Sequence, residues 1–322
     1  MANREFGSFG RYYFQQTKVL ETQKKAICIS GGGSFGAFSV GTLAALQRDY
    51  AIVAGVSTGS LMAPLVALGE YGRLCEAYTS VVQSDIFDWN PFRRNGKLHI
   101  PKALWRVVSG KNTLGDSGAL RRTIDRFLTA ADYAETIRRG KQVIVACQEM
   151  RREPEQIEYF SNTDTGFEDF KDYMWASSNV PLVTSLVEKN GGEYTDAGAS
   201  ELLSLCRVIH MGATEIDVLI HRPRPETRTK TPTRSVAHNF FRLFAIMRKA
   251  IEQDDLATGL LEARLAGAKV NVCWLPRRLA DNSLMFDKTV MQGWFDEGFA
   301  TANDPARWDR YDFSPNPVRA EW

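Results

Sequence analysis

Two strand–turn–helix units in tandem constrain this chain more than any other feature. Ala26 to Ser30 (AICIS) is a short apolar run that stops at three glycines, and Gly36 to Gln47 then carries Phe38, Leu43 and Leu46 at helical spacing. Ala51 to Gly55 (AIVAG) repeats the pattern: a turn follows, then Leu61 to Leu68, apolar all round like a helix buried in a core. Further strand candidates are Gln142 to Cys147, Ile157 to Phe160, Ile216 to His221 and Lys269 to Leu275. Helix candidates are Gly118 to Leu128, Phe170 to Ser177, Val236 to Leu265 and Asp287 to Ala300. Short apolar strands alternating with helices predict an α/β fold of three layers, α/β/α, around a mostly parallel central sheet covered on both faces. One domain is expected over 24–303, with an N-terminal arm (1–23), a C-terminal tail (304–322) and two inserted stretches, 85–115 and the Pro/Arg/Thr-rich 222–234.

The loop Gly31-Gly32-Gly33-Ser34-Phe35-Gly36 lies between a strand and a helix. Glycine there allows a sharp turn and leaves amide N–H groups uncovered at a helix N-terminus, where negative charge is favoured. A plain tight turn would not need three consecutive glycines, each of which costs backbone entropy. Gly31, Gly33 and Gly36 satisfy GxGxxG, but a dinucleotide site also wants an acidic residue at the end of the second strand. Asp49 precedes that strand, and what ends it is Gly55-Val56-Ser57, so the nucleotide reading fails on placement. A third reading is an oxyanion hole, with Gly31, Gly32, Gly33 and Ser34 aiming amides at an oxygen that becomes negative during acyl transfer.

Such a hole needs a nucleophile. Gly55-Val56-Ser57-Thr58-Gly59 is a GxSxG match between a short strand and an apolar helix, the context in which this common pattern is informative. The residues two before and two after the serine must be small for so sharp a turn, and Gly55 and Gly59 are. A serine needs a base. His99, His210, His221 and His238 sit in no motif; Asp196, in Tyr194-Thr195-Asp196-Ala197-Gly198, places a carboxylate at the end of an extended segment beside a small-residue turn. The residues alone leave open a Ser57–Asp196 dyad, a Ser–His–Asp esterase or thioesterase for small soluble esters with His210 or His221 as base, and a silent or partner-activated binding protein.

Taken together, Gly31 to Gly36, Ser57 within Gly55 to Gly59, and Asp196 within Asp196 to Gly198 resemble the motifs of the patatin-like phospholipases. Gly41, Leu46 and the Ala176-Ser177-Ser178-Asn179-Val180-Pro181 segment add to the similarity. The resemblance is specific over 26–68 and 174–200. It implies a lipid acyl hydrolase with a Ser57–Asp196 dyad, a glycine-loop oxyanion hole, no metal and no cofactor, acting on phospholipid or lysophospholipid. Two positions depart from the pattern: Phe35 stands where the family usually carries Lys or Arg, and Ala197 where it usually carries Gly.

Composition narrows the partners. At 44% apolar and 24% charged over 322 residues, the chain can build a core without disulfides, and disorder is excluded. Its five cysteines form no CxxC pair, and Cys28, Cys147 and Cys273 lie in strand-like runs as small buried hydrophobes. A net charge of +2, from 40 basic and 38 acidic residues, gives no sign of nucleic-acid binding. No signal peptide or transmembrane segment is visible, so a cytoplasmic or peripheral membrane location is expected. Two aromatic and basic stretches suit a lipid surface: 1–14, and 85–110 with Phe87, Trp89, Phe92, Leu98 and Trp105 among Arg93, Arg94, Lys97, Lys102 and Arg106. The basic run from Arg222 to Lys230, continuing to Arg248 and Lys249, could also face anionic headgroups. Packing of these stretches on the body, an activating partner and a homo-oligomer contact are the competing expectations.

Overall fold

A computed structural model describes residues 23–153, 156–224 and 236–314; the 1–14 arm and most of the 222–234 insertion lie outside them. The strands, in chain order, are β1 (Lys25–Ile29), β2 (Ile52–Gly55), β3 (Gln142–Glu149), β4 (Gln156–Ser161), β5 (Val187–Lys189), β6 (Gly192–Asp196), β7 (Glu215–Pro223), β8 (Lys269–Leu275) and β9 (Trp308–Asp312). The helices are α1 (Gly36–Leu46), α2 (Thr58–Leu68), α3 (Tyr71–Thr79), α4 (Gln83–Ile86), α5 (Ile100–Val108), α6 (Gly118–Phe127), α7 (Ala130–Arg138), α8 (Phe167–Ser177), α9 (Leu205–His210), α10 (Val236–Ala266) and α11 (Lys288–Ala300).

The central strands β3, β2, β1, β7 and β8 are parallel, and β4, β5, β6 and β9 pair antiparallel at the margins. Successive side chains alternate between faces. Ile27, Ile29, Val53 and Val145 pack with α1, α2, α3, α8 and α11, whereas Ala26, Cys28, Ala54 and Ile144 pack with α9 and α10. Both faces are covered, which is why these strands read as unbroken apolar runs.

Several expectations are refined. Residues 308–312, assigned from sequence to a tail, form β9 against β8, and Arg307 is buried with its guanidinium on Thr42 and the carbonyls of Trp274 and Thr301. The 85–115 stretch is folded onto the body: Phe87 and Phe92 are buried, and Arg106 is buried too, donating to the carbonyls of Thr113 and Gly115. Cys28, Cys147 and Cys273 are buried, and all five cysteines are unbridged. Among the described residues no helix is long and apolar enough to cross a membrane.

One register decides where the chemistry sits. β4 pairs with Ile144–Glu149, so it occupies one edge of β3. β2 pairs with Gln142–Val145 and β6 with Cys147–Glu149, and both must use the other edge. The antiparallel β6 therefore lies in line with the parallel β2, their C-terminal ends facing each other. Ser57 follows one of these ends and Asp196 is the last residue of the other.

Candidate active site

At the end of β2 the chain turns within two residues into α2. Ser57 takes a backbone conformation of φ 56° and ψ −126°, costly for a residue with a Cβ and found where the surroundings enforce it. A Cβ on Gly55 would lie 2.2 Å from the Gly59 carbonyl oxygen, and one on Gly59 would lie 2.1 Å from that of Ile29, so only glycine fits at both flanks. The strained peptide is held from three sides. The Ser57 amide donates to Ser177 Oγ at 3.0 Å, and its carbonyl accepts from Ser60 Oγ at 2.6 Å and Ser178 Oγ at 3.2 Å. The serine is 5% exposed.

The segment that holds the elbow also holds Asp196. The Asn179 carbonyl accepts from the Asp196 amide at 2.9 Å and from Thr195 Oγ1 at 2.6 Å. The Ala176-to-Pro181 stretch thus ties Ser57 and Asp196 to one piece of backbone. Asp196 is fully buried. Its Oδ1 accepts from the Gly198 amide at 2.8 Å, while Oδ2 has no hydrogen-bond partner among the described residues. Burial raises its pKa above the ordinary aspartate value; Arg248, the Gly198 amide and the Ser57 hydroxyl oppose that rise in decreasing order. A carboxylate made more basic and left with a bare oxygen is suited to taking a proton.

The glycine loop faces the same point. The amides of Gly31, Gly32 and Gly33 have no acceptor among the described residues. Gly33 has φ 54°, and a Cβ there would lie 2.3 Å from the Ser283 carbonyl oxygen. Ser34 departs from expectation: its amide and hydroxyl both donate to that carbonyl, at 2.8 and 2.9 Å, so it anchors the loop and its amide is not available to an oxyanion. The 282–286 segment carrying Ser283 had no sequence signal. It is linked to the insertion by Asn282 Nδ2 donating to the Gly96 carbonyl. Phe35 leaves the site, its ring set edge-on to Trp294 at 5.5 Å.

The histidines are elsewhere. His210 is a surface residue 3.4 Å from Glu262, His99 caps α5, and the His238 side chain lies outside the described part. His221 is buried against Gly32, its Nδ1 2.9 Å from the Ser30 carbonyl oxygen; burial lowers its pKa to about 4. It supports the glycine loop from below.

Two charged residues credited from sequence to a headgroup-facing run point towards the body and are only partly exposed. Arg222 pairs with the buried Glu252 of α10 and lies over the Trp274 ring, and Arg248 reaches Asp196 and the Gly31 and Gly198 loops. Sequence reasoning missed Arg248, Glu252 and Asp255 as a set; their spacing of four and three residues puts them on one helix face, which was the available signal. Asp255 accepts from the amides of Leu202 and Leu203 at 2.6 and 3.1 Å, clamping α10 to the loop after Asp196.

On the other side of Ser57 is a cavity of about 940 Å³, open mouth included, bordered by Gly33, Ser57 and Thr58 and walled by apolar side chains such as Leu61, Leu65, Ile86, Phe87 and Leu120.

Comparison with known proteins bears on this site. The family described as patatin-like phospholipase matches residues 27–203, from β1 through the loop after Asp196. Among solved structures, that of VipD from Legionella pneumophila is similar at 11% identity and a TM-score of 0.45, over 90% of this chain and 68% of that one. No curated protein sequence matches.

Proposed function

The chain belongs to the patatin-like phospholipase family and is a lipid acyl hydrolase; from that premise we propose that it cleaves carboxylic esters of phospholipid or lysophospholipid through a Ser57–Asp196 dyad. The observation that carries this reading is the head-on meeting of β2 and β6, with a strained serine after one end and a buried carboxylate with a bare oxygen at the other.

In this scheme Ser57 Oγ attacks the ester carbonyl carbon while Asp196 Oδ2 takes the hydroxyl proton. The tetrahedral oxyanion is met by the amides of Gly31, Gly32 and Gly33. Collapse breaks the bond to the alcohol, which leaves with the proton from Asp196. Water, deprotonated by the same carboxylate, then releases the fatty acid. One oxyanion donor is typically worth about 10²–10³ in rate and a general base about 10²–10⁴. The apolar cavity beside Ser57 supports an acyl chain as the part of the substrate bound there.

The α5 helix supports contact with an anionic lipid surface. Ile100, Leu104, Trp105, Val107 and Val108 are exposed on it, with Lys97, Lys102 and Lys111 around them. A helix with apolar residues outward and basic residues flanking them suits an interface.

The test is fatty-acid release from mixed phospholipid and lysophospholipid vesicles, alongside labelling by a fluorophosphonate. Ser57→Ala and Asp196→Asn are expected to lose release by at least about 10³-fold, a His210→Ala/His221→Gln double variant to retain it, and Ser57 to carry the label. Retained release by Ser57→Ala or Asp196→Asn, or absence of both release and labelling in the wild type, overturns the dyad.

A further inference from the structure

The geometry points to Arg248 as the residue that selects esters carrying a phosphate on the alcohol side, a role that rests on the Ser57–Asp196 reading. Arg248 comes from α10, on the far face of the sheet from α1 and α2, and its guanidinium enters between the two catalytic loops. Its Nη1 is 3.8 Å from Asp196 Oδ2. A Cβ on Gly31 would lie 2.9 Å from both Arg248 Nη2 and Ser57 Cβ, and a Cβ on Gly198 would lie 2.9 Å from both Arg248 Nη2 and Asp196 Oδ1. The guanidinium thus fills the space left by two missing side chains, directly beside nucleophile and base.

The position is asymmetric in a way that matters for substrate. The apolar cavity touches Ser57 through Gly33 and Thr58; Gly31, Gly198 and Arg248 are not among its walls. An ester carbonyl at Ser57 has two substituents that diverge. With the acyl chain in the cavity, the alcohol portion is directed to the Arg248 side. A guanidinium offers five N–H donors in a planar fork matched to phosphate, and it cannot be deprotonated in a protein. At 3.8 Å it is beyond hydrogen-bond distance of Asp196, and its side chain is 20% exposed, so donors remain for an incoming anion. Phe35 of the glycine loop packs against Trp294; the cation at this site comes from α10.

The experiment compares a short-chain lysophosphatidylcholine, a monoacylglycerol of equal chain length and a p-nitrophenyl ester of the same acid, all below their aggregation concentrations so that surface binding plays no part. Arg248→Ala is expected to lower kcat/KM for the phosphate-bearing ester about 10- to 100-fold more than for the two neutral esters, the range for a charged hydrogen bond, while any loss common to all three reports what Arg248 does for Asp196. Arg248→Lys, which keeps the charge without the fork, is expected between wild type and Ala. Equal losses on all three substrates would overturn the proposal, because an arginine that served the base or the oxyanion, or a misfolded variant, would affect every ester alike. An unchanged value for the phosphate ester would overturn it as well. Either result leaves the dyad standing provided wild type hydrolyses the neutral esters and Ser57→Ala does not.

Discussion

At the residue scale, the site combines groups whose protonation the fold has pushed in opposite directions. His221 is buried beneath Gly32 and its pKa falls to about 4 from the ordinary 6.5. The unfolded chain then binds the proton more readily between those values, so the stability this histidine contributes is complete above pH 6.5 and is lost as pH falls towards 4, in total on the order of 3 kcal/mol. Asp255 is raised to about 7 from 3.8, by burial foremost. Here the folded chain holds the proton more tightly, so its cost is absent below pH 3.8 and grows as pH rises towards 7. Denaturant unfolding followed between pH 4.5 and 8 should show His221→Gln gaining stability relative to wild type as pH falls, and Asp255→Asn gaining as pH rises. Difference curves that are flat for both variants would contradict this assignment. Neither residue carried a sequence signal for its burial. Ser57 did, because a serine between glycines at a strand end is a local pattern, and Asp196 became legible beside Ser57 only through the family resemblance.

Among elements, the close crossing of α1 and α11 sets how the glycine loop is presented. A Cβ on Gly41 would lie 2.0 Å from the Phe295 carbonyl oxygen, and one on Gly298 would lie 2.0 Å from that of Phe38. Backbone meets backbone there. Gly41→Val is expected to destabilise the protein by about 1–3 kcal/mol through forced separation of the helices. It should also slow ester hydrolysis, since α1 begins where the loop ends. A thermal melt and a soluble-ester assay read both effects, and a fully stable, fully active variant would show that the helices can part without consequence. The main helices were legible from their apolar spacing, α2 starting at Thr58 directly after Ser57. The short helices α3, α5 and α7 were not: α5 turns its apolar side chains outward, so its pattern did not mark a core-facing helix.

For the whole molecule, the question is how a buried serine meets a lipid. Ser57 is 5% exposed and the cavity beside it is walled by apolar side chains. The outward face of α5 is large and apolar, with Leu104 61% and Val108 79% exposed. Charging it by Leu104→Glu/Val108→Glu is expected to weaken sedimentation with anionic vesicles at least tenfold while leaving hydrolysis of a monomeric ester within about twofold. Unchanged vesicle binding would remove α5 from the interface. The aromatic residues that suggested an interface from sequence divide in the fold, Phe87 and Phe92 going inside. Composition cannot make that division, because a buried and an exposed aromatic look alike until the packing around them is known.

The sequence by itself determined the alternation of strands and helices, the elbow at Ser57 and the glycine loop, because each is a local rule: period, turn chemistry, small residues where the backbone comes close. Tertiary structure alone decided the rest. The edge of β3 brings β6 into line with β2 across more than 130 residues of chain, and with it Asp196 to Ser57. The Ser283 carbonyl accepts the Ser34 amide that the sequence had offered to an oxyanion. A helix on the opposite face delivers Arg248 between the loops. These are contacts between segments far apart in sequence, and no local pattern in either segment contains them.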